Sequence, residues 1–276
     1  MAQTLSRSLL NKAALPLMWC AGCGNGIVLN ALLCAMDELE LKKENVLVVT
    51  GIGCWGKADD YIAANALHVT HGRALAFATG AKAANPELNV IVLMGDGDGT
   101  TIGGNHLIHT ARRNMDLTAI IVNNLNYGMT GGQYSATTPS GAITSTSIGG
   151  NPERGFDVCG LVRMAGANYV ARESVSSGMR LKNRITAGIK KKGFSLIEAM
   201  SPCSTLFGPR NKMRQPVEML RNLKEKAVSQ AKFDSIENAE DQGYFVAGVI
   251  ADRDHQDFNT RYEVEREVIM AARGKK

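Results

Sequence analysis

Short apolar runs that alternate with helical segments constrain the fold of this chain more than any other feature. Near-continuous apolar runs predict buried strands, and apolar residues spaced three or four positions apart predict helices. The runs predict strands over residues 46–49, 90–93, 117–122 and 194–199. The helical spacing predicts helices over residues 27–39, 73–84, 104–113, 158–165 and 178–192. This alternation is typical of a mostly parallel sheet covered on both faces, so we predict a doubly wound α/β fold.

The composition changes near residue 213 and suggests where the first domain ends. Before this point apolar runs and glycine-rich loops alternate, whereas residues 213–242 are polar and charged. One further strand is predicted over residues 245–250, followed by a charged helical tail. We therefore predict an α/β domain at residues 1–212. A C-terminal extension at residues 213–276 would pack on this domain or on a partner subunit.

Charge and cysteine content exclude several functional classes. Lys and Arg number 31 against 26 Asp and Glu, a net charge of +5, but the basic residues are scattered and not grouped with aromatic residues. We therefore expect no nucleic-acid surface. No apolar run approaches the roughly 18 to 20 residues of a membrane span. The six cysteines come without a secretory signal, which indicates thiols or metal ligands in a cytoplasmic protein.

Three glycine-rich loops follow predicted strands and should meet at one edge of the sheet. Ligands of such folds bind outside the carboxyl ends of the strands, where residues 51–60, 95–104 and 123–132 lie. Asp96 stands between two glycines of the sequence GDGDG, and Asn124 belongs to a pair of asparagines. Asp96, the Asn124 side chain and the Asn126 carbonyl offer the oxygen ligands that Mg²⁺ prefers beside a phosphate group. The loops therefore predict a magnesium-dependent diphosphate site.

The spacing of these loops resembles a known cofactor motif. GDG, about 25 further residues and NN are similar to the thiamine diphosphate motif. The stretch GDGDGTTIGGNHLIHTARRNMDLTAIIVNNLNYGMTGGQYSATTP resembles the beta subunit of 2-oxoacid:ferredoxin oxidoreductases. WCAGCGNG, GIGCWGKADDY, THGRALAFATGAKAANPE and SPCSTLFGP resemble the same family, so the resemblance covers residues 19–209.

The resemblance implies an oxidoreductase that decarboxylates a 2-oxoacid with coenzyme A, releases acyl-CoA and CO₂, and passes electrons to ferredoxin. Thiamine diphosphate would serve as the electron sink, and a [4Fe-4S] cluster would remove electrons one at a time. The segment YGMTGGQYSATTP is most similar to the 2-oxoglutarate members, so 2-oxoglutarate is the expected substrate. The family's alpha subunit would hold the pyrimidine side of the cofactor, and the chain would be active only with it.

The cysteines fall into two groups. Cys34 and Cys159 lie among apolar residues of predicted helices and are expected to be buried. The other four lie in predicted loops and could hold zinc or an iron–sulfur cluster, because one CxxC with two distant partners fits no local consensus for either. The resemblance implies a [4Fe-4S] cluster on Cys20, Cys23, Cys54 and Cys203.

Further residues of the same loops are predicted to contact the cofactor or the substrate. His71 and Arg73, at a helix start, could reach a phosphate or the reacting centre, and Lys57 could bind a substrate carboxylate or coenzyme A. We predict that His71 and Lys57 are catalytic. The predicted magnesium ligands are Asp96, Asn124 and Asn126. The predicted cofactor contacts are Gly53, Cys54, His71, Arg73, Gly95, Asp96, Gly97, Asp98, Asn124, Asn126, Gly128, Met129 and Thr130.

Two other functions fit parts of the pattern. A thiamine diphosphate-dependent decarboxylase or lyase without redox function would use the cysteines for structural zinc. A nucleotide-binding module would use GDGDG as a phosphate loop, although this segment lacks the lysine and the spacing of a P-loop. Brown colour with an EPR signal on reduction would distinguish the first alternative, and thiamine diphosphate binding would distinguish the second.

Overall fold

The computed structural model describes residues 8–273, in which seven strands form the main sheet. Residues 1–7 and 274–276, at the outer ends of the two predicted domains, lie outside the described residues. The strands are β1 (Val46–Thr50), β2 (Asn65–His68), β3 (Asn89–Gly95), β4 (Thr118–Asn123), β5 (Tyr169–Ser174), β6 (Ser195–Met200) and β9 (Gly248–Asp252). Their order in the sheet is β2-β1-β3-β4-β6-β5-β9, and all neighbours are parallel except β5 and β9, which are antiparallel. A separate parallel pair contains β7 (Ala227–Val228) and β8 (Phe245–Val246).

Helices cover both faces of the main sheet, which confirms the doubly wound α/β fold. The helices are α1 (Asn25–Glu38), α2 (Ala74–Ala84), α3 (Gly104–Arg113), α4 (Val158–Ala165), α5 (Gly178–Lys190), α6 (Phe207–Arg210), α7 (Pro216–Lys226), α8 (Gln230–Asp234) and α9 (Phe258–Arg273). Helices α1 and α5 pack on one face, and α2, α3 and α4 pack on the other. None of the helices within residues 8–273 is both long and apolar enough to cross a membrane.

The central strands are apolar along their whole length because both of their faces are buried. Val48 and Ile91 point into the core under α1 and α5, whereas Val49 and Val92 point into the core under α2, α3 and α4. Alternate side chains of a strand point to opposite faces, so a strand between two helical layers needs apolar residues at every position. The four predicted strands and five predicted helices are therefore confirmed, with ends shifted by a residue or two.

Two strands of the main sheet were not predicted from the sequence. The edge strand β2 is exposed throughout, so its sequence NALH carries no apolar signal. Strand β5 is buried but contains charged residues. Burial of Arg172 is possible because its Nε donates to Glu198 Oε2 on β6 at 2.6 Å. The ion pair places charged residues within buried strands, and in β5 they interrupt the apolar pattern on which strand prediction depends.

The prediction of one strand over residues 245–250 is wrong. The chain changes sheets inside this run: β8 pairs with β7, and β9 pairs with β5 in the main sheet. Gly248 has φ +132°, a conformation that side-chain-bearing residues rarely adopt, and it turns the backbone between the two strands. The predicted C-terminal extension thus contributes the last strand of the main sheet, and the predicted helical tail is α9.

The adjacent strands β1, β3 and β4 end side by side, and three loops leave the sheet at that edge. After β3 the chain forms a short π-helix, Gly97–Ile102, before α3 begins. π-Helical turns are rare in proteins, and those that occur often lie at functional sites. This edge is also where open parallel sheets bind their ligands, so the fold places the glycine-rich loops at the expected binding position.

Candidate active site

One cavity lies at the carboxyl ends of β1, β3 and β4 and is lined by all three glycine-rich loops. Twelve of the thirteen predicted cofactor contacts line this cavity, and Arg73 is the exception. The additional lining residues are Ile52, Trp55, Val122 and Tyr127. Residues from positions 52 to 130 of the chain therefore meet in one concave site.

Asp96 lies at the base of the cavity, directly after β3, and is almost fully buried. Its Oδ2 accepts hydrogen bonds from the hydroxyl groups of Ser135 and Thr137, at 2.5 and 2.8 Å. Burial disfavours the ionised carboxylate and raises the pKa of Asp96 to about 6, although both hydroxyl groups act in the opposite direction. A buried carboxylate without a cationic partner is the arrangement expected of a cation ligand.

The Asn124 carboxamide and the Asn126 carbonyl oxygen converge on Asp96 Oδ1. One end of the carboxamide lies 3.2 Å from Asp96 Oδ1 and 2.7 Å from the backbone carbonyl oxygen of Asn126. Both neighbours are acceptors, so without a cation the carboxamide nitrogen is the end that faces them and donates to both, whereas a bound cation would turn the carboxamide oxygen toward itself. Neighbouring oxygens around an octahedral Mg²⁺ lie about 2.9 Å apart when each metal–oxygen distance is about 2.1 Å. The residues present therefore fit a magnesium ion.

The GDGDG segment is shaped by close contacts on both sides. A Cβ atom at Gly97 would lie 2.3 Å from the Tyr127 ring, whose hydroxyl group donates to the Gly97 carbonyl oxygen at 3.1 Å. A Cβ atom at Gly51 would lie 1.9 Å from Asp98 Oδ2. Only glycine allows the loop after β1 and the π-helix after β3 to approach each other this closely.

Asp98 and His71 form a pair at the wall of the cavity. Asp98 Oδ1 lies 2.5 Å from His71 Nδ1 and accepts hydrogen bonds from the backbone N–H groups of Gly72 at 2.7 Å and Ile52 at 3.3 Å. Burial raises the pKa of Asp98, whose Oδ2 has no hydrogen-bond partner among residues 8–273. The carboxylate holds the imidazole against the edge of the Tyr127 ring, with the ring centroids 5.9 Å apart.

Four cysteines lie close to one another beside this cavity. Burial, together with negative charge on Cys23, Cys203 and Cys20, raises the pKa of Cys54 to about 11. Burial also raises the pKa of Cys23. Within residues 8–273, no three His, Cys, Asp or Glu side chains lie close enough to hold a single metal ion.

The other two cysteines are buried in the helices where they were predicted. Cys34 belongs to α1, and Cys159 belongs to α4. The Cys159 thiol donates to Glu198 Oε2 at 3.2 Å, and burial raises its pKa well above the ordinary range. Both lie in the hydrophobic layers of the fold, apart from the cavity lining.

Besides three of the four cysteines, two predicted site residues, Lys57 and Arg73, do not line the cavity. Lys57 forms an ion pair with Asp60 at 2.8 Å, and its hydrogen bond to this carboxylate raises the Lys57 pKa. Arg73 is exposed and donates from Nη1 to the Ile102 carbonyl oxygen at 3.5 Å. Each of these two residues follows a cavity-lining residue by two or three positions in the sequence. Their prediction as site residues depended on this proximity, but their side chains bind other partners.

Sequence reasoning missed the residues that support the cavity from behind. Ser135 and Thr137 reach Asp96 from the long loop after β4, some 40 positions along the chain. Trp19 donates from Nε1 to the Cys54 carbonyl oxygen at 2.6 Å and packs against Trp55 and Tyr61. One indication of the tryptophan contacts is present in the sequence: Trp19 directly precedes Cys20, and Trp55 directly follows Cys54, so each tryptophan is adjacent to a predicted cysteine ligand.

Comparison with known proteins identifies the family. Residues 50–199 match the thiamine pyrophosphate enzyme C-terminal TPP-binding domain, a range that includes all three loops of the cavity. The 2-oxoglutarate synthase subunit KorB of Methanothermobacter marburgensis is 49% identical over 88% of this chain and 85% of its own length. Subunit beta of 2-oxoacid:ferredoxin oxidoreductase 2 from Aeropyrum pernix is 38% identical over 73% of this chain and 65% of its own. The chain belongs to the beta subunits of the 2-oxoacid:ferredoxin oxidoreductases.

A solved structure resembles this beta subunit over nearly its whole length. The 2-oxoglutarate:ferredoxin oxidoreductase from Magnetococcus marinus, with 2-oxoglutarate, coenzyme A and succinyl-CoA bound, superposes with a TM-score of 0.84. The two are 30% identical, and the match covers 98% of this beta subunit and 92% of the other chain. The likeness therefore extends beyond the cofactor-binding domain to the C-terminal segment after residue 212.

Proposed function

We propose that this chain is the beta subunit of a 2-oxoglutarate:ferredoxin oxidoreductase. With its alpha subunit it would convert 2-oxoglutarate and coenzyme A into acyl-CoA and CO₂, with electrons passing through a [4Fe-4S] cluster to ferredoxin. One observation carries the proposal: Cys54 lines the same cavity as Asp96 and Asn124. A Cβ atom at Gly128, in the loop that supplies the asparagine oxygens, would lie 3.4 Å from Cys54 Sγ. A cofactor clamp and a thiol ligand therefore share one wall.

The magnesium ion and the thiamine diphosphate fit the oxygens at the base of the cavity. Asp96 Oδ1, the Asn124 carboxamide oxygen and the Asn126 carbonyl oxygen would hold the ion, which in turn would hold the diphosphate. When bound, thiamine diphosphate supplies the group that accepts the electron pair released on decarboxylation. The chain itself excludes water from Asp96 by burial, and Asp98 fixes the partly exposed His71 at the wall, where it would contact the substrate.

The relatives favour an iron–sulfur cluster over structural zinc. Zinc has no redox chemistry, whereas several relatives are named 2-oxoacid:ferredoxin oxidoreductase, after an electron-transfer partner. Cys23, Cys203 and Cys20 all lie near enough to Cys54 to raise its pKa, so the four loop thiols form one group. Cys20, Cys23, Cys54 and Cys203 are therefore assigned to a four-iron cluster, which they would bind as thiolates.

The partners and the cellular location follow from the same proposal. The relatives named 2-oxoglutarate synthase support 2-oxoglutarate as the substrate. Lys57 and Arg73, which do not line the cavity and are bonded to Asp60 and to the Ile102 carbonyl oxygen, would have to leave these partners to bind its second carboxylate or coenzyme A. A net charge of +5 suits an acidic ferredoxin. Residues 1–212 would hold both cofactors, residues 213–276 would complete the sheet and face the alpha subunit, and the complex would work in the cytoplasm.

The substrate assignment is tested on the assembled complex of alpha and beta subunits. We expect kcat/KM for 2-oxoglutarate to exceed that for pyruvate and for a branched-chain 2-oxoacid, measured by reduction of a viologen dye with coenzyme A present. A preference for pyruvate would refute the substrate assignment. Colourless protein that contains zinc and gives no EPR signal on reduction would refute the redox function.

A further inference from the structure

Two buried hydroxyl groups donate hydrogen bonds to one of the two carboxylate oxygens of Asp96, Oδ2. Ser135 Oγ and Thr137 Oγ1 both lie within hydrogen-bond distance of Oδ2, whereas Oδ1 faces the Asn124 carboxamide. Ser135 and Thr137 are themselves buried. A Thr hydroxyl has one proton, and Asp96 Oδ2 at 2.8 Å is nearer than Asn123 Oδ1 at 3.1 Å, so the proton is directed to Asp96. The two hydroxyl groups thereby leave Oδ1 as the oxygen available to a cation.

The loop that carries these hydroxyl groups is bonded to the residue after Asn124 and is held in shape by its own hydrogen bonds. Thr138 Oγ1 donates to the Leu125 carbonyl oxygen at 2.7 Å and accepts the Ser135 backbone N–H at 2.8 Å. Thr137 also donates its backbone N–H to Ser135 Oγ at 3.4 Å. The side chains of Ser135 and Thr137 are therefore preorganised before any cation binds.

A second buried network holds the end of β4, the strand directly before Asn124. Asn123 Nδ2 donates to Glu198 Oε1 at 2.8 Å, and Glu198 Oε2 accepts from Arg172 Nε at 2.6 Å. The Arg172 guanidinium also pairs with Asp157, so its charge is shared by two carboxylates. This network fixes Asn123 directly before Asn124 and gives the end of β4 one position relative to Asp96.

We propose that Ser135 and Thr137 are positioning residues that select the Asp96 oxygen presented to magnesium, while the Asn123–Glu198–Arg172 network fixes the position of Asn124. The inference rests on the proposed function, in which Asp96 and Asn124 hold the ion. Partners of metal ligands orient the ligand and typically change metal affinity by about 10- to 100-fold when they are removed. Mg²⁺ requires near-octahedral order, whereas Ca²⁺ accepts flexible and bidentate carboxylates, so looser positioning should weaken Mg²⁺ more than Ca²⁺.

The test uses the assembled alpha–beta complex after removal of its cofactors. Thiamine diphosphate binding is followed by calorimetry during titration with MgCl₂ and, separately, with CaCl₂. Thr137→Val, which keeps the shape but removes the hydroxyl donor, should lower the Mg²⁺ affinity by about tenfold and the Ca²⁺ affinity by less. Thr137→Ser should restore the Mg²⁺ affinity, because it restores the donor. Ser135→Ala is a second, independent variant with the same expected direction.

Thr144→Val is the matched control. Thr144 is a buried threonine of the same loop, and its hydroxyl group is bonded to Ser147 Oγ at 2.7 Å and not to Asp96. We expect it to leave both affinities unchanged. If Thr137→Val and Ser135→Ala retain the unsubstituted Mg²⁺ affinity while Asp96→Asn loses it, the positioning role is wrong and the proposed function stands. If the unsubstituted complex and Asp96→Asn bind thiamine diphosphate equally weakly, the proposed function fails as well.

Discussion

Asp96→Asn should change cofactor affinity and stability in opposite directions. In the cofactor-free protein the Asp96 carboxylate is buried, and its pKa is raised from 3.8 to about 6. A carboxyl group whose pKa is higher in the folded than in the unfolded state does not change the free energy of unfolding at a pH below its unfolded pKa. It lowers the free energy of unfolding by the full amount at a pH above its folded pKa. The difference between the two values corresponds to about 3 kcal/mol of unfolding free energy above pH 6.

The substitution removes this cost and keeps the local contacts. The introduced amide oxygen still accepts from Ser135 and Thr137, and the introduced amide nitrogen donates to the Asn124 carboxamide oxygen once that carboxamide turns its oxygen toward position 96. We therefore expect the cofactor-free protein to gain about 3 kcal/mol at pH 8, with the gain shrinking as the pH falls from about 6 to about 4. The same change removes an anionic ligand, so Mg²⁺-dependent affinity for thiamine diphosphate should fall by about tenfold or more.

Urea unfolding of the cofactor-free protein at pH 8 and pH 5 measures the first effect, and calorimetric titration with thiamine diphosphate and Mg²⁺ measures the second. Asp96→Ala is the comparison, because it removes the charge but leaves the Ser135 and Thr137 hydroxyl groups without their acceptor. It should therefore be less stable than Asp96→Asn at both pH values. Equal or lower stability of Asp96→Asn at pH 8 would refute the argument from the buried charge. Undiminished Mg²⁺-dependent affinity would refute the ligand assignment.

Three further predictions concern the core, the thiols and the subunit. Lys82→Met removes the buried ammonium group that lies 2.9 Å from the Asp116 carboxylate, so the free energy of unfolding should fall by about 3 kcal/mol. Lys192 pairs with the same carboxylate from its exposed side, so Lys192→Met should lower the free energy of unfolding by less than about 1 kcal/mol. Urea unfolding measures both changes. Iron content and visible absorbance should fall on serine substitution of any cluster ligand; the same result at Cys34 or Cys159 alone would contradict the assignment. The isolated chain should not reduce a viologen dye with 2-oxoglutarate, and robust turnover would contradict the need for an alpha subunit. The cluster ligands are Cys20, Cys23, Cys54 and Cys203.

The parts of the fold that sequence predicts are those with uniform surroundings. Strands β1, β3, β4 and β6 are buried on both faces, so their apolar runs reflect one environment along their length. Strand β5 escaped prediction because Arg172 is satisfied by Glu198, a partner 26 positions away. The division of residues 245–250 between two sheets depends on Gly248, whose conformation no apolar pattern encodes.

The candidate site divides in the same way. Asp96 and Asn124 were predictable because each directly follows a predicted strand, and adjacent parallel strands end at one edge. Ser135 and Thr137 were not predictable, because a long irregular loop brings them back to Asp96 and neither residue type is unusual in a loop. Lys57 and Arg73 point away from the cavity because Asp60 and the Ile102 carbonyl oxygen bind them.

The antiparallel strand β9 has a consequence for how the chain is made. It covers the edge of β5 but lies roughly 74 residues further along the chain, so at about 5 to 20 residues per second the ribosome needs roughly 4 to 15 seconds to synthesise the intervening segment. Throughout that interval the unpaired backbone of β5 can join a strand of another nascent chain. A truncation before Gly248 makes this exposure permanent, so such fragments should accumulate as aggregates even though every residue of the cavity is present.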